Sequence, residues 1–364
     1  MYALPLRNRI FLAILVFSTS TLWPQQTESS LSPNENDYVA YDFHFKSGET
    51  MDEVRLHYAT LGSPARDARG RVTNAVLLLH GTSGSGAQFL VPQFAGVLFG
   101  RGQLLDITRY YIILPDNIGA GKSTKPSDGM HARFPPYDYD DMVAAQHELL
   151  EKRLGVNHLR LILGTSMGCM HAWVWGETYP DFMDALMPLA CQPVAIAGRN
   201  RIWRKMIMDA IRDDPEWKGG EYSSQPHAAM EVVAAMFEIA AGSALLMQKL
   251  TPTRGATDRS DEEFTRHFIA DHDANDLLYA FNASRNYDPS PQIEKISAYV
   301  MFVNSADDFI NPPELGIAEQ EIRRVKKGRF VLLPISDETR GHGTHTWAAV
   351  WQQYLAELLK SSQR

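Results

Sequence analysis

Past its first thirty or so residues, the chain alternates between short apolar runs and longer stretches with apolar residues at helical spacing. Tyr38 to Phe45 and Val54 to Thr60 alternate polar and apolar positions, which predicts an antiparallel opening pair of strands. Asn74 to His80 is an unbroken apolar run ending in a Gly-rich loop, His80 to Gly86, and Tyr110 to Asp116 is a second run of the same kind. Asp140 to Leu154 places Met142, Val143, Leu149, Leu150 and Leu154 on one helical face, with Asp140 or Asp141 as cap and Gly155 as stop. His158 to Gly164 predicts a strand, Met167 to Tyr179 a helix closed by Pro180, and Ala185 to Ala190 a further strand. Towards the C-terminus, Ala298 to Asn304 and Phe330 to Pro334 read as strands around a helix from Pro313 to Val325, and a last helix runs from Thr346 to Leu359. Such alternation predicts an α/β protein with a mostly parallel sheet flanked by helices. Between about Pro193 and Gln292 it stops, and the helix-biased stretch rich in Met, Trp and Ala predicts an insertion over the sheet.

Gly164-Thr-Ser166-Met-Gly168 stands where one of these strands meets its helix. It fits G-x-S-x-G, a sharp strand-to-helix turn that lifts a serine hydroxyl clear of the chain. The flanking glycines are needed because the turn brings backbone against backbone. A serine hydroxyl attacks only when a base takes its proton and a third group orients the base, and in this architecture the order along the chain is Ser, Asp or Glu, His. Asn304 to Pro312 carries Asp307 and Asp308 just after a late strand; Asp308 precedes Pro312 by four and is the first choice, with Asp307 as the alternative. Beyond the acid only His342 and His345 remain, both in the loop Gly341 to His345. His342, in a Gly-His pair, is the first choice for the base; His345 is the alternative, or a pocket residue. Backbone N–H groups of Met167, after the nucleophile, and Thr82, in the Gly-rich loop, are the expected oxyanion donors.

With 364 residues, 45% hydrophobic and 21% charged, the chain suits one large domain with an insertion. A net charge of −8 argues against a nucleic-acid partner and leaves no basic face for anionic membranes. Arg7 and Arg9, the apolar run Ile10 to Phe17 and the small residues Ser18 to Ser20 form the succession of a secretory signal. The apolar run is shorter than the about 18–20 residues needed to span a bilayer. Residues 1–30 are therefore expected to be a signal peptide, which makes the mature protein exported and free of stable membrane insertion. Cys169 and Cys191 are the only cysteines; Cys169 lies on an apolar helix, and free buried thiols are expected.

Three tempting motifs fail on inspection. Gly119 to Thr124 approaches a phosphate-binding loop, but Asp116 stands where that loop needs glycine. Asp271 to Asp276 begins like a calcium loop, but Asp276 and Asn282 occupy the positions of its glycine and glutamate. His342 and His345 have no third ligand at recognisable spacing, so neither a metal nor any other cofactor is expected.

Together these pieces resemble the homoserine O-acetyltransferases, a branch of the α/β-hydrolase superfamily, from about Asp52 to the C-terminus. The resemblance is carried by Asn74 to His80, Thr108 to Gly119 with Gly121 and Ser123-Thr124, Phe134-Pro135, Asp141 to Gln146 and the Ser-Met-Gly of the turn. Asp214-Pro-Glu-Trp-Lys-Gly-Gly220 and Asp273-Ala-Asn275 carry it in the insertion. It implies an α/β-hydrolase fold, an acyl-enzyme and a small-molecule acyl substrate; a homodimer stays open. Two departures fall at the site. Gly343 stands where that family has the aspartate of Gly-His-Asp, expected to hold the amine of homoserine, and His80-Gly-Thr-Ser-Gly84 replaces His-Ala-Leu-Thr-Gly. An exported enzyme would also lack acyl-CoA. The expected organisation is a core of residues 31–192 and 293–364 with a helical lid of residues 193–292. The expected activity is hydrolysis of an ester or similar acyl bond by Ser166, His342 and Asp308. Acyl transfer to an alcohol through the same intermediate is the alternative, and a non-catalytic binding protein on the same scaffold a third reading.

Overall fold

A computed structural model describes residues 31–363; the expected signal segment lies outside the described residues. Eight strands form one sheet: β1 (Asn34–His44), β2 (Thr50–Leu61), β3 (Ala75–Leu79), β4 (Tyr111–Pro115), β5 (Leu161–Thr165), β6 (Ala185–Leu189), β7 (Tyr299–Ser305) and β8 (Gly328–Leu333). Their order is β1-β2-β4-β3-β5-β6-β7-β8. β1 pairs antiparallel with β2 and β2 with β4, while every pairing from β4 to β8 is parallel. The sequence explains the difference. β3, β4, β5 and β6 are mostly apolar and wholly buried, as strands covered on both faces must be, whereas β1 is rich in polar residues and buries only Ala40 and Phe43.

The covering helices are α1 (Tyr139–Glu148), α2 (Met167–Thr178), α3 (Gly198–Asp213), α4 (His227–Ala241), α5 (Ala244–Leu250), α6 (Arg254–Asp271), α7 (Ala274–Asn282), α8 (Ile317–Ile322) and α9 (Ala348–Ser361). α1 starts in a reciprocal capping box between Asp138 and Asp141 and ends in a π-helical turn, Leu149–Arg153, rather than running on regularly to Leu154. The helix expected from Pro313 to Val325 is broken by Gly316, at φ 64°, which leaves only α8. α2 is buried on nearly every side, with Trp173 and Trp175 fully enclosed.

The stretch from α3 to α7 has an apolar cluster of its own. Trp203, Ile207 and Ile211 of α3 pack with Met230 and Val233 of α4, Phe268 of α6 and Phe281 of α7. Each full burial contributes about 2–3 kcal/mol, which holds the helices together without a sheet beneath them. Two distant sequence motifs meet here. The indole N–H of Trp217 donates to Asn275 Oδ1 at 2.8 Å, and Asn275 Nδ2 donates to the Gly220 carbonyl at 2.9 Å. The failed motifs also find structural uses. Ser123 Oγ accepts from the His57 N–H on β2, and Asp276 accepts from both the N–H and the hydroxyl of Ser127. No single helix among the described residues is long and apolar enough to cross a membrane; α4 and α5 pass that test only as a pair bent by 108°.

The cysteines are not free. Cys169 on α2 and Cys191, just past β6, form a disulfide. The spacing of 22 residues hides this, because the pair meets only when β6 lies beside β5 and brings the Cα atoms to 5.8 Å. Loop closure of that size is worth about 3 kcal/mol in the chain-entropy account. Replacing both cysteines by serine should lower stability by about that amount relative to the oxidised protein, read as the shift in urea midpoint. An unchanged midpoint would mean that the bridge adds nothing.

Candidate active site

The turn from β5 into α2 leaves no room for side chains. A Cβ on Gly164 would sit 1.9 Å from the Gly168 carbonyl oxygen, and one on Gly168 would sit 2.0 Å from the Leu79 carbonyl oxygen on β3. Ser166, between them, is held at φ 54°, ψ −110°, a conformation costly for a residue with a Cβ. Its own N–H donates to Leu189 O at 2.9 Å, tying the turn to β6. The Ser166 hydroxyl is thereby fixed at the carboxyl edge of the sheet, the edge where ligands bind in folds of this type.

Three loops bring partners to it. Beyond β8, His342 places Nε2 2.9 Å from Ser166 Oγ. Beyond β7, both Asp308 oxygens lie 3.0–3.1 Å from His342 Nδ1. Asp308 is buried and also accepts the N–H groups of Ile310 and Asn311 and the Asn311 side-chain amide. Burial pushes its carboxyl pKa up, but attraction to His342 and the hydrogen bonds from His342 and Asn311 outweigh it, so the group lies below the usual carboxylate range. Since Asp308 is an acceptor, Nδ1 of His342 carries the proton, and Nε2 is free to accept from the serine hydroxyl.

The two alternatives from the sequence occupy different places. Asp307 does not reach His342. It accepts from the Ser305 hydroxyl, from Thr339 Oγ1 at 3.0 Å and from the Gly341 N–H at 3.0 Å, and so clamps the loop that carries His342. His345 stands 5.1 Å from the His342 ring, edge to face, with no hydrogen bond to Ser166. Burial first, and the nearby His342 second, lower its pKa to about 3, so it is a neutral neighbour.

The third loop follows β3. Thr82 lines the cavity above Ser166, and Met167 is the first residue of α2; among the described residues neither backbone N–H has a protein acceptor. Gln88 ties this loop to the turn, accepting from the Gly81 N–H at 3.1 Å and donating to Thr165 Oγ1 at 2.8 Å. Beneath it runs a buried polar chain that sequence patterning does not reveal. His80 Nε2 accepts from the Asn117 backbone N–H at 3.1 Å, which fixes its proton on Nδ1, donated to the Gly81 carbonyl at 2.8 Å. The chain continues from Asn117 to Gln146, and Gln146 accepts from the Trp175 indole at 2.7 Å and reaches His171. The only sequence signal was polar residues inside apolar segments.

The cavity above Ser166 has a volume of about 160 Å³. One wall comes from the sheet edge, with Gly81, Thr82, Met170, His342 and His345; the other comes from α3 and α4, with Asn200, Trp203, Arg204, Phe237 and Ala241. It adjoins a larger, mostly apolar cavity of about 420 Å³, sharing Met170, Asn200, Ile310 and Asn311 with it. Among the described residues no three His, Cys, Asp or Glu side chains gather in a way that could hold a metal.

The sequence model of the alpha/beta hydrolase fold family matches residues 74–321, and the chain belongs to this family. It is an enzyme of the α/β-hydrolase class, and its sequence relatives include acyltransferases. A homoserine O-acetyltransferase of Pelobacter propionicus is 30% identical over 336 residues, covering 81% of this chain and 87% of that protein. A probable acyltransferase of Methanothermobacter thermautotrophicus is 29% identical over 275 residues, 75% of this chain and 82% of the relative. In three dimensions, an acetylester hydrolase from Corynebacterium glutamicum superposes with a TM-score of 0.79 at 20% identity, over 90% of this chain and 96% of that one.

The buried chain generates a pH prediction. His171 is fully buried, and burial first, with His80 second, lowers its pKa to about 3. Between about pH 6.5 and 3 the unfolded chain binds a proton there that the folded protein refuses, so stability falls as pH falls through that window, by roughly 1 kcal/mol per unit. His171→Leu should flatten the decline in melting temperature below pH 6.5; an unaltered slope would place the acid sensitivity elsewhere.

Proposed function

We propose that this protein hydrolyses an ester or similar acyl bond by way of an acyl-enzyme on Ser166. The observation that carries the reading is the continuous hydrogen-bonded line from Ser166 Oγ through His342 to Asp308 at the floor of a cavity. Ser166 Oγ attacks the acyl carbon while its proton passes to His342 Nε2, and Asp308 holds the resulting imidazolium. The N–H groups of Thr82 and Met167 receive the oxyanion; the Met167 group also lies at the positive end of α2. Collapse releases the alcohol with the proton from His342, and a water molecule repeats the sequence to free the acid and restore the serine. Asp307 acts at one remove, by positioning the histidine loop.

Water is favoured over an amino-alcohol acceptor by the cavity's charge. Homoserine carries an ammonium group, and a buried cation needs a carboxylate beside it. Gly343 supplies none, and no aspartate or glutamate lines the cavity among the described residues. The sequence relatives that acylate homoserine support the alternative of acyl transfer through the same intermediate, but that charge pattern weighs against their acceptor here. Helices α3 to α7 serve in this reading as the lid.

Ser166→Ala should abolish labelling by a fluorophosphonate and lower kcat on p-nitrophenyl acetate by up to about 10⁶. His342→Ala should match it, and Asp308→Asn should cost about 10⁴. Asp307→Asn and His345→Ala should cost far less. With the wild type, millimolar homoserine should neither speed nitrophenol release nor yield O-acetylhomoserine, and acetyl-CoA should be a poor donor. Retained labelling in Ser166→Ala would overturn the nucleophile; efficient homoserine-dependent use of acetyl-CoA would overturn hydrolysis.

Export is part of the proposal. Its support is the basic-apolar-small leader together with the Cys169–Cys191 bridge, since disulfides persist in oxidising compartments. Mass spectrometry of the protein from its native host should find a mature start between about Ser20 and Ser32. An intact Met1 on cytoplasmic protein would sink the idea.

A further inference from the structure

Arg204 is an arginine buried to 2% exposure on α3, in the wall of the cavity that contains Ser166. Its guanidinium stays charged in any protein setting. Nε donates to Asn200 Oδ1 at 2.9 Å and Nη1 to Ser284 Oγ at 3.1 Å, and the Tyr139 hydroxyl is a further polar neighbour of the guanidinium. No carboxylate comes within ion-pair reach of it, and no acid lines the cavity among the described residues. The aromatic rings of Trp203 and Phe281 lie 5.9 and 5.6 Å from the guanidinium and help to hold it in place. These polar partners are all neutral, so the buried charge is solvated but not balanced. A cation left in this state is costly unless the binding partner brings the missing anion.

We infer that Arg204 is the anion-binding group of the substrate cavity, and that the substrate is an acyl ester carrying a carboxylate on its acyl half. The fork of the guanidinium suits a carboxylate, which would bring the negative charge that its neutral partners lack as water leaves the cavity. This inference rests on the proposed hydrolysis at Ser166 and adds its substrate class.

The test compares ethyl hydrogen succinate, anionic at neutral pH, with ethyl succinamate, its neutral counterpart of nearly the same shape. In the wild type, kcat/KM should favour the anionic ester at least tenfold. Arg204→Met should reduce that ratio at least tenfold, and Arg204→Lys should keep part of it; circular dichroism melts would establish that the variants are folded. A wild-type ratio of one or less, or a ratio unmoved by Arg204→Met, would overturn the inference while leaving hydrolysis intact. Calorimetry on Ser166→Ala separates the two claims, because it reads binding without turnover. Tighter binding of the anionic ester, lost in Ser166→Ala/Arg204→Met, would support Arg204 even if the wild type cleaved neither ester. Equal binding of the two esters would overturn it.

Discussion

The Leu79 carbonyl on β3 stands so close to α2 that position 168 can hold nothing larger than glycine, and this one approach governs the rest of the site. It forces α2 to begin abruptly where β5 ends, and the abrupt start drives Ser166 into its positive-φ conformation. The strain is borne because the neighbours over-determine the turn. The Ser166 N–H is held by Leu189, Thr165 is held by Gln88, and the disulfide ties α2 to the residue that follows β6. A serine so fixed has little rotamer freedom to lose on reaction, which is what preorganisation requires. The bridge therefore does more than close a loop: Cys191 lines the cavity, so the same bond helps to fix one of its walls.

Two adjacent aspartates divide the work of the second support. Asp308 meets the histidine ring, and Asp307 meets the backbone that carries the ring. One residue sets the proton's position on His342, the other the position of His342 itself. A similar division appears beneath the Gly-rich loop, where the His80 tautomer is fixed by the Asn117 N–H and its other nitrogen steadies the Gly81 carbonyl. Thr82 is thus supported from below by a buried hydrogen-bonded chain, in which burial lowers the pKa of His80 and so favours its neutral form.

Much of this was legible in the sequence, and for identifiable reasons. The parallel strands were plain because strands covered on both faces must be apolar throughout, and G-x-S-x-G marked the turn because only glycine survives there. The chain order Ser, Asp, His singled out the loops after β7 and β8, and the spacing to Pro312 made Asp308 the first choice; the structure puts Asp308 against His342 and gives Asp307 the backbone of the histidine loop instead. The disulfide was misread as free thiols because pairing depends on strand adjacency rather than on spacing in the chain. The broken helix after Pro312 was missed because Gly316 looks tolerable inside a helical pattern until its φ is seen. The buried polar chain and Arg204 left no periodic signal at all, since each is one polar residue among apolar ones.

The helices over the sheet decide what the triad-like line can act upon. In the proposed hydrolysis a nucleophile, base and acid at this spacing would accept almost any activated acyl group, so selectivity would have to come from the wall that α3 and α4 provide. That wall is built from Trp203, Phe237 and Ala241 around a single guanidinium, and it is shaped by the same apolar cluster that keeps α3 to α7 together. The packing of the insertion and the charge of the cavity are consequently one design problem: Trp203 and Phe281 bury the cluster, and the same rings flank Arg204. A change that loosened the cluster would move the guanidinium before it disturbed Ser166. On the proposed hydrolysis, selectivity would then fail ahead of the bond-breaking chemistry, because the two would depend on different layers of the fold.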